Sequence, residues 1–162
     1  MIEIQPIQAN QIPEAKRLIV TVAQGTYQWS KPVDEMLVIF DKRGEFKDMD
    51  EVQSHYFENH GVFLAAMDGD QIIGTGAIRH CSETLCELKR LWLFEKYQGQ
   101  GIGYRLITTL FEHARGFGYQ TIKLLTDRRQ IRAINFYQQV GFQFIEQDSD
   151  DPNDVFMEMS LE

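Results

Sequence analysis

The sequence predicts one α/β (α+β) domain spanning residues 1–162, with a central mixed, mostly antiparallel twisted sheet flanked by helices. Three observations lead there. Two apolar runs, Val62–Met67 and Gln71–Arg79, flank Asp68-Gly69-Asp70, an antiparallel hairpin signal. A run ending Leu91-Trp92-Leu93 passes through a glycine-rich segment into a helical pattern, then into Thr121–Thr126. One helix between two strands makes that pair parallel. No internal repeat, low-complexity tract or linker interrupts the chain.

The elements follow in order. Ile2–Ile7 alternates and reads as a first strand. Asn10 is placed to cap a helix from Ile12 to about Ala23, with Pro13 in its first turn. Residues 25–60 are less regular; Met36–Phe40 reads as helical, and a further helical stretch starts at Met49 or Asp50. The hairpin comes next, then a strand over Thr84–Leu93. In the following helix Ile102, Leu106, Leu110, Ala114 and Phe117 share a face, and Gly116 and Gly118 end it. After the strand at Thr121–Thr126, a helix covers Ile131–Val140 and stops at Gly141. Phe142–Ile145 and Val155–Met159 form a last hairpin around an acidic loop.

Composition excludes several classes. The 43% apolar and 12% aromatic content suffices for a packed core. No apolar run approaches the ~20 residues of a membrane span, and no signal peptide is expected at Met1–Pro6. Cys81 and Cys86 are the only cysteines, so a reduced, cytoplasmic protein without a disulfide framework is expected. The net charge of −8 argues against nucleic acid and suits a cationic acceptor such as an amine. His80, Cys81 and Cys86 lack zinc spacing, and residues 146–154 lack the glycine and terminal glutamate of a calcium loop, so no metal is expected.

Function is most legible at Gln98-Gly99-Gln100-Gly101-Ile102-Gly103. A glycine loop between strand and helix leaves backbone N–H groups pointing at one spot, beside the positive end of the helix dipole. That arrangement suits phosphate bound by main chain. The dinucleotide fingerprint starting at Gly99 would need glycine at position 104, which is Tyr104. The mononucleotide loop needs a Gly-Lys-Ser/Thr tripeptide, which the chain lacks. The remaining pattern is Gln-x-x-Gly-x-Gly.

This pattern resembles the pyrophosphate loop of the GNAT superfamily of acyl-CoA-dependent N-acetyltransferases. A second block, Ala133-Ile134-Asn135-Phe136-Tyr137 through Gly141-Phe142, is similar to the family's Ala-x-x-Phe-Tyr-x-x-x-Gly-Phe segment. The resemblance implies a GNAT fold with a splayed parallel strand pair, acetyl-CoA as cosubstrate, and transfer by direct attack of a primary amine on the thioester. It is weakest over residues 25–60, where acceptors usually bind in the family.

By that resemblance, Gln98, Gly99, Gln100, Gly101, Ile102, Gly103 and Tyr104 hold the pyrophosphate. Leu91, Trp92 and Leu93 align the pantetheine arm by main-chain pairing, beside a strand bulge whose N–H polarises the thioester carbonyl. Asn135 contacts the cofactor. Tyr137 is the general acid for the leaving thiolate, and Glu87 the base for the amine, directly or through water. Each has a plainer reading: Tyr137 as a core aromatic, Asn135 as a surface residue, Glu87 as a strand carboxylate paired with Lys89 or Arg90. Arg128, Arg129 and Arg132 either approach the ribose phosphate or decorate the surface. Tyr27, Trp29 and Phe40 either line an acceptor pocket or serve as core. The expected partner is a small-molecule amine, with no nucleic acid or membrane, and the resemblance allows a homodimer. The alternatives are a protein or peptide N-acetyltransferase and a non-catalytic acyl-CoA sensor.

Overall fold

The computed structural model describes residues 1–162. Seven strands form one sheet: β1 (Ile2–Pro6), β2 (Val62–Asp68), β3 (Gln71–His80), β4 (Leu85–Leu93), β5 (Thr121–Asp127), β6 (Gln143–Ile145) and β7 (Asp154–Ser160), in the order β1-β2-β3-β4-β5-β7-β6. Only β4 and β5 are parallel; every other neighbour is antiparallel. The Asp68↔Gln71 pair closes the predicted hairpin, with Gly69 at φ +61° where a side chain would be strained.

The helices are α1 (Ile12–Tyr27), α2 (Val33–Arg43), α3 (Lys47–Asp50), α4 (Ile102–Gly116) and α5 (Ile131–Val140). β2 is buried on both faces. Val62, Leu64 and Ala66 join the core under α4, whereas Phe63, Ala65 and Met67 join the core under α1. Two layers of helix therefore cover the sheet, and a strand with two buried faces carries an unbroken apolar run. Close approach of α4 depends on Gly74 and Gly76. A methyl group at Gly76 would lie 2.9 Å from Leu110 Cδ1, and one at Gly74 3.2 Å from Leu106 Cδ1. That approach sets the N-terminus of α4 against the end of β4.

Three expectations are corrected. Asn10 does not cap α1. Gln11 occupies the cap position after a 3₁₀ turn, and its Oε1 accepts from the Gln8 N–H at 2.9 Å. The helix runs on to Tyr27 and ends at Gln28 in the left-handed region, φ 55°. Beyond α3, the chain to residue 59 forms a π-helical turn, Gln53–Phe57, rather than a regular helix.

Two irregularities in β4 open the sheet. The β4–β5 pairing ends at Glu87↔Lys123, after which the strands separate. The β3–β4 register shifts between Thr75 and Ala77, opposite Lys89–Trp92. Arg90 sits in this bulge at φ +57°. A residue with a Cβ adopts that conformation at a cost of about 1–2 kcal/mol, so surrounding contacts must hold it. Thr75 Oγ1 donates to the Arg90 carbonyl at 2.7 Å. The Arg90 guanidinium reaches Asp48 in α3, Nε at 3.1 Å and Nη2 at 2.6 Å, and also donates to the Glu45 carbonyl at 2.7 Å. The segment between α2 and β2 thereby locks the bulge.

Candidate active site

A groove of about 990 Å³ runs from the separated ends of β4 and β5 to the start of α4. Leu91, Trp92, Leu93, Gln98, Gly99, Gly101, Gly103, Tyr104, Asn135 and Tyr137 all line it. Residues drawn from two distant stretches of sequence, 91–104 and 135–137, thus face one space.

The loop is built to present amides. Glu95–Tyr97 form a 3₁₀ turn, and Gly99 and Gly101 take φ of +80° and +83°. No carbonyl or side chain of the protein accepts from the N–H groups of Gly99 through Tyr104; the first amide at this end of α4 with a partner is Arg105, bonded to the Gly101 carbonyl. This row of free donors at a helix N-terminus is chemically suited to a diphosphate. Gln98 differs from the expectation that the donors begin there. Its N–H donates to the Glu95 carbonyl at 3.0 Å, and its side-chain amide to the Leu93 carbonyl at 3.0 Å. Gln98 therefore ties the loop to the end of β4.

Tyr137 projects from α5 with 7% of its surface exposed. It packs against Phe136 and Phe142, with ring centroids 6.0 and 5.8 Å away, and no protein group hydrogen-bonds its hydroxyl. Burial foremost, then the Tyr27 phenol, pushes its pKa above the ordinary tyrosine range. At neutral pH it is a phenol with a proton to give.

Glu87 lies at the vertex of the splay, in the last paired position before β4 and β5 part. It is 8% exposed and does not line the groove. Its partner is neither Lys89 nor Arg90, as expected, but Arg79 across the hairpin. Arg79 Nε and Nη2 both donate to Oε1, at 3.0 and 2.5 Å, leaving Oε2 without a protein partner. The cross-strand register Arg79↔Glu87 explains the choice.

The aromatic residues between Tyr27 and Phe46 form a chain of rings rather than a pocket lining. Tyr27, Trp29, Phe40 and Phe46 stand 5.5, 5.4 and 5.9 Å apart in succession. Tyr27 also fastens α1 to the β5–α5 turn. Gln130 Nε2 donates to its hydroxyl at 2.7 Å, and the Arg129 guanidinium lies 4.7 Å from its ring. Arg129 is held in turn by Asp127, at 2.8 and 2.7 Å. Val22 and Thr26 of α1, with Arg129 and Gln130, complete the groove wall. Sequence reasoning missed Val22, Thr26 and Gln130 as groove residues: Val22 lies inside the expected helix, only the continuation of α1 past Ala23 signals Thr26, and nothing local signals Gln130.

The model of the acetyltransferase (GNAT) family matches residues 25–142. The chain belongs to that family. Among its relatives, rat N-acetyltransferase family 8 member 2 is 34% identical over 101 residues, covering 59% of this chain and 45% of that protein. A Bacillus subtilis N-acetyltransferase, YsnE, is 29% identical over 62% of this chain and 70% of its own length. The chain thus spans under half the length of the rat relative. The fold recurs in a GNAT-family acetyltransferase from Staphylococcus aureus Mu50, with TM-score 0.85, 19% identity and full coverage of both chains. It recurs also in the PaiA N-acetyltransferase of Thermoplasma acidophilum in complex with coenzyme A, with TM-score 0.81, 20% identity and 99% coverage of both. The seven-stranded sheet with its one parallel pair is thus the fold of this family, whose members use acetyl-CoA as cosubstrate. No helix is long and apolar enough to cross a membrane.

Proposed function

We propose that this acetyltransferase moves the acetyl group of acetyl-CoA directly onto a primary amine of a small molecule or amino acid. The observation that carries this reading is the meeting, in one groove, of the free amides Gly99–Tyr104 with the buried, protonated Tyr137. The amides hold the diphosphate. The unpaired edge of β4 beyond Glu87 offers Leu91 and Leu93 main chain to the pantetheine amides. An N–H at the Arg90 bulge polarises the thioester carbonyl. The amine nitrogen bonds to the carbonyl carbon and the carbon–sulfur bond breaks. The sulfur takes the Tyr137 proton, and the surplus ammonium proton leaves through water toward the free Oε2 of Glu87. The small-acceptor reading rests on the Tyr27–Gln130 clasp. It ties α1 to the turn before α5 where both line the groove, and a bridged groove suits a compact acceptor better than an extended peptide.

Thiol release from acetyl-CoA distinguishes the readings. Small amines and amino acids should release thiol, whereas lysine-containing and free-N-terminal peptides should not. Release with peptides alone would mark a peptide acetyltransferase. Acetyl-CoA binding without release on any amine would mark a sensor.

Glu87→Gln should lower kcat/KM most at low pH, where the amine is protonated and a base matters most. Its melting temperature should be measured alongside, because Arg79 then lacks its carboxylate partner. A pH–rate profile parallel to wild type would reduce Glu87 to a structural ion pair.

A further inference from the structure

The phosphate loop has a charge problem. Between Lys96 and Arg105 it carries no cationic side chain, and the chain as a whole stands at −8. The two flanking cations are committed elsewhere. Lys96 Nζ lies 5.1 Å from the Tyr97 ring, and Arg105 Nη2 donates to the Ile2 carbonyl at 3.0 Å. Gln98 is uncharged, and its side-chain amide is bonded to the Leu93 carbonyl. Arg129 is neutralised by Asp127.

Arg132 is different. It stands in the first turn of α5, lines the same groove as Gln98, Gly99 and Gly101, and forms no ion pair. Its Nη2 lies 3.8 Å from where a methyl group on Gly99 would sit, so the guanidinium lies over the loop itself. We propose that Arg132 is the cation of the pyrophosphate subsite, lending from α5 the charge that the loop lacks. This rests on the acyl-CoA reading of the groove. A planar guanidinium with several donors binds phosphate oxygens in a fork, which the loop amides, each a single donor, do not reproduce.

The test is calorimetric titration of CoA and of dephospho-CoA, which keeps the pyrophosphate but lacks the ribose 3′-phosphate. The proteins are wild type, Arg132→Met and Arg132→Lys. Arg132 is solvent-exposed, so the variants should melt with wild type. For Arg132→Met, affinity should fall about tenfold for both ligands by the same factor, with a shallower salt dependence. Arg132→Lys should recover part of the loss. A loss confined to CoA would assign Arg132 to the ribose phosphate and overturn the proposal. Equal affinities in all three proteins would overturn it too, leaving the groove reading intact. Failure of wild type to bind CoA would bring down the groove reading itself.

Discussion

Tyr137→Phe should bind acetyl-CoA with wild-type affinity yet turn over at least about tenfold more slowly, since a positioned proton donor typically contributes about 10²–10⁴-fold. The substitution is unusually clean here. The ring remains to pack against Phe136 and Phe142, and the hydroxyl it removes has no protein partner to leave stranded. Melting temperature should therefore stay unchanged while kcat drops. Because burial, with the Tyr27 phenol, raises the pKa of Tyr137, wild type should keep this proton through neutral and mildly alkaline pH. The kcat ratio of the two proteins should then be flat below pH about 10. Steady-state kinetics across that range, with the true acceptor, check it. An equal kcat would remove Tyr137 from the chemistry and leave it as a core aromatic.

The second large effect is on stability. Asp48→Asn should destabilise the fold by about 3 kcal/mol, because it strands the Arg90 guanidinium in a nearly closed site. The two side chains are only 18% and 12% exposed, and Tyr56 Oη also donates to Asp48, at 2.6 Å. Burial alone would raise the Asp48 carboxyl. The Arg90 hydrogen bonds and charge, then the Tyr56 hydroxyl, outweigh it and hold the group below the usual carboxylate range. The sign follows from linkage. A depressed folded-state pKa gives stability that is fully present above the unfolded value, about 3.9, and lost as pH falls through the folded value. Wild type should therefore lose this increment in acid, and the variant should lack that part of the acid limb. Denaturant midpoints at pH 7 and pH 3 measure both. Since the same pair holds the β4 bulge, kcat should fall with stability. An unchanged midpoint at pH 7 would show that the bulge needs no lock.

What was legible in the sequence follows from how local its causes are. The Asp-Gly turn, the glycine loop and the 3.6-residue period of α4 are written in adjacent residues, and the α5 boundaries, Ile131–Val140, are as expected. Region 25–60 was harder for a physical reason. No residue of α2 is fully buried, so its apolar stripe is diluted by polar neighbours. The Asp48–Arg90 lock joins positions 42 apart in sequence and leaves no local trace. Glu87 was assigned a partner from its own strand because spacing along one strand is visible, whereas pairing with Arg79 depends on hairpin register. The left-handed Arg90 was hidden too, since nothing in Lys89-Arg90-Leu91 marks a bulge. The loop amides were inferred as a group; that Gln98 is excluded from the donors depended on the 3₁₀ turn ahead of it.

The most direct test is the crystal structure of the protein with CoA bound. The pyrophosphate should lie on the amides of Gly99–Tyr104, the pantetheine amides should pair with the main chain of Leu91 and Leu93, and the thiol should come within hydrogen-bonding reach of Tyr137 Oη. A CoA that bypasses the β4–β5 splay, or a thiol remote from Tyr137, would contradict the mechanism.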